Sequence, residues 1–196
     1  MKMPRSNFKG GAMLAPLPAV IVSVGDMEKS NILTIAWTGI LSTNPPRAYI
    51  SVRPTRHSYK YLKENGEFVI NIPSASLARQ TDYAGIYTGA KVDKLKRCNF
   101  TREKSKEVAP PTIKECPIAL ECRVFEIIES GTHDIFLADI VNVSVDDSII
   151  DKDGKICYDK ADLFAYSHGE YYRLGKKIGR FGFSTDKKKK KDGKKR

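Results

Sequence analysis

Residues 51–62, SVRPTRHSYKYL, place two arginines, a threonine, a histidine and a serine where a strand-like run ends and a helix-like run begins. Arg53 and Arg56 bring forked, permanently charged donors, and Thr55 and Ser58 bring hydroxyls. A helix start adds unpaired backbone N–H groups, and the whole set suits a phosphate. The same residues also suit a plain solvated turn, in which Thr55 or Ser58 caps the helix and both arginines face water. Taken alone, the corner leaves both readings open. The sequence has no glycine-rich phosphate loop elsewhere, and no Ser-His-Asp or Cys-His arrangement offers a protein nucleophile.

Other reactive residues point to little chemistry of their own. Cys98, Cys116, Cys122 and Cys157 have no CxxC spacing and no His cluster that reads as zinc, so they are expected as reduced thiols and no metal site is expected. The run DKDGK at 151–155 lacks the spacing and bidentate glutamate of a calcium loop and reads as a turn. The formal charge of +11 would fit a nucleic-acid binder if it were spread over a folded face. More than half of it sits in residues 186–196, DKKKKKDGKKR, which hold eight Lys/Arg, two Asp and no apolar side chain. That segment is expected to be a disordered basic tail. The early run AMLAPLPAVIVSVG is broken by two prolines with no cleavage pattern after it, and no run approaches the ~20 apolar residues of a membrane span. A soluble cytoplasmic protein is expected, with an arm at 1–12, one domain at 13–185 and the tail at 186–196.

The elements that must carry the corner are mostly strands. Short β-branched runs occur at 17–25, 31–41, 47–52, 67–72, 118–128 and 134–145, the last two joined as a hairpin across ESGTH. Asn44-Pro45-Pro46 breaks the second run from the third, and Pro73 stops the fourth. Six strands in neighbouring pairs predict an antiparallel barrel or sandwich. A helix is expected after His57, stopped by Gly66, and another over 74–85 with Ser74 or Ser76 as cap and Gly85 as terminator. The polar, proline-ended segment 101–112 reads as a loop. In the second run, Leu33, Ile35 and Trp37 alternate with Thr34, Ala36 and Thr38, a face small enough for a flat ring to approach; periodicity alone puts Trp37 in the core.

The ordered series LPAVIVSVG, SNILTIAWTGILSTNPPRAYISVRPTRHSYKYL, GEFVINIP, GAKVDKLKRCNF, PIALECRVFEIIESGTHDIFLADIVNVSVDD and DLFAYSHGEYYRLG resembles the flavin reductase-like family of FMN-binding split barrels, and within it the flavoredoxins. The likeness covers roughly residues 13–176. It implies a mainly β fold, a six-stranded antiparallel Greek-key split barrel with a few short helices, one non-covalent FMN per subunit, and a homodimer. By the same resemblance Asn31 falls beside the flavin ring, and Thr34 and Trp37 on the strand lining it. Arg53, His57 and Ser58 fall on the phosphate side, where relatives often carry threonine at the Ser58 position. Lys94 falls near the phosphate and ribityl chain, and His133 and Tyr166 near the ring system. His133, which without the resemblance is an exposed turn histidine, is the one catalytic candidate, expected to titrate near neutral pH.

Three functions follow. The first is an NAD(P)H-dependent flavin or ferric reductase, in which NADH or NADPH binds transiently over the flavin because no GxGxxG fingerprint is present. The second is an electron carrier reduced by a ferredoxin-like protein partner. The third is a basic barrel that binds nucleic acid through the tail, weakened by the absence of aromatic residues among the tail's lysines.

Overall fold

The computed structural model describes residues 3–185; the predicted basic tail at 186–196 lies outside the described residues. In chain order the strands are β1 (Leu17–Pro18), β2 (Val20–Gly25), β3 (Ser30–Ile35), β4 (Thr38–Thr43), β5 (Pro46–Val52) and β6 (Glu67–Ile72), then β7 (Arg102–Glu103), β8 (Thr112–Ile113), β9 (Ile118–Ser130), β10 (His133–Val145), β11 (Phe164–Ser167) and β12 (Glu170–Arg173). Three short helices are α1 (Tyr59–Asn65), α2 (Ala78–Ile86) and α3 (Lys94–Arg97). Residues 3–16 carry no helix or strand.

Seven strands form one antiparallel sheet in the order β3-β2-β6-β9-β10-β5-β4. The expectation was six. The run 31–41 divides at Ala36-Trp37 into β3 and β4, because the chain leaves β2 there and continues along β5. The sheet curls so that its two edges approach: Ser51 N–H donates to the Trp37 carbonyl at 3.0 Å, from β5 to the link between the edge strands. Such curling is how an antiparallel sheet limits its free edges. The curled sheet encloses a core of Val20, Val22, Val24, Leu33, Ile35, Ile50, Val52, Phe68, Ile70 and Phe136, with Tyr61 and Leu62 of α1 filling one side.

β2 is buried along its whole length, which fits a run that is apolar apart from Ser23, whose hydroxyl donates to the Pro111 carbonyl. Its outer face, with Ile21, meets a second cluster formed by Ile32, Ala84, Leu95, Cys98, Phe100, Ile113 and Cys116. Thus α2, α3 and the 98–116 segment are fastened over the β2–β3 edge. Asn71 closes that attachment: its amide donates to Ile21 O and Ser23 Oγ, both at 3.1 Å, and its Oδ1 accepts from Ile113 N–H at 2.8 Å. The segment 101–112 is an excursion pinned at its base by the two-residue pairing of β7 with β8.

Turn chemistry agrees with the sequence at several points. Gly66 ends α1 at φ 63°, in the left-handed region a glycine adopts without strain. Asp151 Oδ1 accepts from the N–H groups of Asp153 and Lys155, at 3.0 and 2.9 Å, so DKDGK is a turn organised by its own aspartate. β1 is separate from β2 and joins a small sheet, β1-β11-β12, whose hairpin turns at His168-Gly169 with both residues at positive φ. No helix among the described residues is long and apolar enough to cross a membrane.

Candidate functional site

A groove runs between the β3 edge, the 53–58 corner, the C-terminal part of α2 and the β11–β12 hairpin. It consists of two joined cavities of about 310 and 450 Å³ that share Leu33, Thr34, Arg53, Arg56 and Gly85. Asn31, His57, Ser58 and Lys94 line the first; Trp37, His133 and Tyr166 line the second; Thr34 and Arg53 line both. All nine residues singled out from the sequence therefore border one continuous space.

The corner is not a simple capped turn. Ser58 precedes α1 but makes no side-chain cap. It is buried, and its hydroxyl accepts from Asn31 Nδ2 at 2.7 Å, which ties the corner to β3. The corner itself is a tight turn: Arg56 N–H donates to Arg53 O at 3.0 Å, and Tyr59 N–H to Arg56 O at 2.9 Å. Both arginines are left exposed on the groove side. Among the described residues, no ion pair involves Arg53, Arg56, His57 or Lys94.

Lys94 is buried, and its ammonium donates to the Ala84 carbonyl of α2 at 2.8 Å. Burial, helped by the charge of Arg56, pulls its pKa down to about 8. Burial likewise lowers His57, with added repulsion from Lys60, Lys94 and Lys29. This end of the groove thus concentrates positive charge that no anion among the described residues pairs with, which is the electrostatic condition for holding an anionic ligand.

The second cavity has a different character. Trp37 does not enter the core. It sits at the break between β3 and β4, is 40% exposed, and tilts against the His133 ring at a centroid distance of 4.4 Å. Tyr166 and Tyr171 close the opposite side from the small sheet, with their rings 5.5 Å apart. Tyr171 is held by its hydroxyl, which donates to Asp82 of α2 at 3.2 Å. His133 Nε2 accepts weakly from Arg53 Nε at 3.4 Å, and Nδ1 lies 2.8 Å from Thr132 Oγ1. That pairing places the ring proton on Nδ1. Burial and the charges of Arg53 and Arg56 hold His133 below the ordinary histidine value.

Thr55 and Arg56, read from the sequence as part of the corner, also line the groove. Other lining residues were missed from the sequence. Tyr87, Thr88 and Gly89 come from the chain after α2, and Tyr171 from β12. Gly85 does not end α2, which continues to Ile86. Its use is close approach: a Cβ there would meet Thr34 Cβ at 3.2 Å, while Thr34 Oγ1 donates to the Thr81 carbonyl one turn earlier. At Gly89 a Cβ would fall 2.2 Å from Asn31 Oδ1. The GIYTG segment, with a glycine at each end, was the available signal.

Residues 13–175 match the flavin reductase like domain. The chain belongs to this family. Flavoredoxin of Desulfovibrio vulgaris (Miyazaki F) is similar at 30% identity and a TM-score of 0.86, over 93% of this chain and 100% of that one. Flavoredoxin from Methanosarcina acetivorans is similar at 27% identity and a TM-score of 0.81, over 90% of this chain and 95% of that one. A protein of Archaeoglobus fulgidus is 37% identical over 142 residues, 72% of this chain and 78% of its own. This flavin reductase-like chain is therefore a flavin-related oxidoreductase with the split-barrel fold. A flavin nucleotide has an anionic phosphate at one end and a flat ring system at the other. The groove's donor set fits that group, with unpaired cations in one cavity and aromatic walls in the next.

Proposed function

We propose that the groove binds FMN non-covalently and that the protein is an NAD(P)H-dependent flavin or ferric reductase. The observation that carries this reading is the cluster of Arg53, Arg56 and Lys94, free of ion-pair partners among the described residues, at one end of a groove whose other end is walled by Trp37, Tyr166 and Tyr171. When bound, the flavin supplies the hydride and electron chemistry. The protein's own residues bind and orient it. Arg53, Arg56, Lys94 and the Ser58 hydroxyl hold the phosphate; His57 borders the same end. Asn31, fixed by Ser58, and Thr34, fixed by α2, present short polar groups along β3 to the ring. Trp37 and Tyr166 exclude water from its flanks. His133 keeps its proton on Nδ1 toward Thr132 and offers Nε2 to Arg53, so the positive charge at this edge belongs to the arginine. The donor, NADH or NADPH, binds transiently over the exposed ring. The active species is a homodimer in the cytoplasm, and the exposed outer-face side chains Ile40, Leu41, Phe125 and Ile128 are apolar surface that a second subunit would cover.

A second reading is favoured by the likeness to two flavoredoxins over nearly the whole chain: an electron carrier reduced by a ferredoxin-like partner. One experiment tests both. The purified protein, reconstituted with FMN, is followed by visible spectroscopy without oxygen while NADH, NADPH and then a reduced ferredoxin are added. Bleaching by a nicotinamide nucleotide within seconds supports the reductase. Bleaching by the ferredoxin alone transfers the assignment to the carrier. Failure to take up FMN at all refutes both.

Lys94 gives a separate check. A lysine held at about 8 instead of its usual value near 10.5 is charged at pH 7 at a cost to the unliganded fold. Lys94→Met removes that cost along with the bond to Ala84 O. The variant is expected to raise the stability of the ligand-free protein by on the order of 1 kcal/mol, since a buried charge without an anion is costly. It should weaken FMN binding by about tenfold or more, because a charge-assisted contact is lost. Thermal denaturation with and without FMN measures both.

A further inference from the structure

The aromatic wall of the second cavity stands on a support of its own. Tyr166 and Tyr171 belong to β11 and β12 of the small sheet, whereas Asn31, Thr34 and His133 belong to the seven-stranded one. The two tyrosines are directly opposite each other in the β11–β12 ladder. β12 is the edge of the small sheet, and its ladder is with β11 alone. Of the two rings, only Tyr171 has a hydroxyl with a hydrogen-bond partner among the described residues, and that partner is Asp82 of α2. Tyr166 leans on Tyr171 through the ring contact, and Phe164 meets Tyr171 at 5.8 Å from the same strand as Tyr166.

Asp82 itself borders neither cavity of the groove. It is half-buried and, among the described residues, forms no ion pair. Its place on α2 is what gives the contact meaning. The carbonyl of Thr81 accepts from Thr34 Oγ1 and that of Ala84 from Lys94 Nζ, so α2 already holds one residue from β3 and one from the phosphate end. The bond from Tyr171 to Asp82 refers the aromatic wall to that same helix. Burial, then the neighbouring Asp82 charge, pushes the Tyr171 pKa up to about 12, which keeps its proton in place as the donor near neutral pH.

We infer that Asp82 is a positioning residue for the flavin ring: by accepting from Tyr171 it fixes the Tyr166–Tyr171 wall across the aromatic cavity before a ligand arrives. This rests on the flavin reading of the groove. Without the bond, two rings on an edge hairpin have to be ordered by the ligand itself. Each side chain so immobilised costs about two- to tenfold in affinity.

Titration of the flavin-free protein with FMN and with riboflavin, read by quenching of flavin fluorescence, tests it, together with the visible circular dichroism of the bound flavin. Asp82→Ala should raise both Kd values by about fivefold and change the dichroism, because the wall faces the ring that both ligands share. Tyr171→Phe keeps the ring and loses the bond, so it should match Asp82→Ala. The double variant should be no worse than either single one, since both remove the same contact. Asp82→Asn keeps an acceptor oxygen and should restore both affinities and the dichroism. If Asp82→Asn behaves like Asp82→Ala, the charge acts and not the bond, and the inference falls. It falls too if Asp82→Ala lowers Tm but binds both flavins as the parent does with unchanged dichroism, for Asp82 then serves folding alone. A loss confined to FMN would move Asp82 to the phosphate end and overturn the assignment to the ring. If the parent protein takes up neither flavin, the inference falls together with the reading beneath it.

Discussion

Arg53→Ala combined with Arg56→Ala is expected to raise the Kd for FMN by about a hundredfold or more. Both side chains border the two joined cavities, both are exposed before a ligand arrives, and neither has a carboxylate partner within ion-pair distance among the described residues. Removing them breaks little in the free protein. Arg53 gives up a long contact with His133, and Arg56 a 3.4 Å contact with the Gly85 carbonyl. Their value lies in the complex, where the ligand covers them and each charge-assisted contact contributes about 1.5–3 kcal/mol. The comparison that isolates the effect is riboflavin, which has the ring but no phosphate. Its affinity should change far less than that of FMN. If the double variant loses both ligands equally, the arginines serve the ring and the phosphate end is elsewhere. A melting temperature close to that of the parent would show that the loss is not one of folding. His133 should also respond: with both neighbouring charges gone, its pKa should rise toward the ordinary histidine value.

The legible and illegible parts of this site differ in physical kind. Charge and hydroxyl density at 53–58 can be read because several donors cluster within six residues of sequence, and the clustering survives folding. Trp37 could not be placed by periodicity. An alternating pattern assumes one continuous strand, and the chain changes partners at Ala36-Trp37, so the side chain emerges at the groove instead of the core. The same break explains why seven strands were counted as six. Lys94 illustrates a third kind. Its burial depends on α3 docking over β3 beside α2, whose Ala84 carbonyl it bonds, and nothing local marks it. Gly85 was read only as the end of a helix, and neither it nor Gly89 belongs to a GxGxxG fingerprint. They serve to bring α2 and the chain after it against Thr34 and Asn31, a demand set by a strand some fifty residues earlier. Tyr171 was missed because a short hairpin carries no core pattern. The resemblance to a family supplied the site residues that local patterns could not.

Phe136→Ala is expected to be the most damaging single change for the fold, and to reach the site through β10. Phe136 is fully buried, paired across β10 with Ile50 of β5 and Ile127 of β9. Its ring also packs edge-on against Tyr59 of α1 at 5.7 Å. Truncation empties the middle of the enclosed core, where the surrounding strands are held by ladders on both sides and cannot collapse inward. Such changes cost about 3–5 kcal/mol, which for a chain of this size lowers Tm by roughly 6–20 °C. Phe136→Leu keeps most of the volume and should cost much less. The consequence for function runs through Tyr59, whose hydroxyl donates to the buried Asp134 at 2.5 Å, next to His133 in the chain. With its ring contact gone, Tyr59 loses the support that aims it at Asp134, and the start of β10 is held less firmly. FMN affinity, measured well below the lowered Tm, should therefore fall several-fold in Phe136→Ala and recover in Phe136→Leu. Unchanged affinity in the alanine variant would mean that the β5–β10 ladder, which pairs Asp134 with Val52, fixes the His133 side of the groove without help from the core. A fall in affinity with little change in Tm would point instead to a core that refills the void while shifting β10.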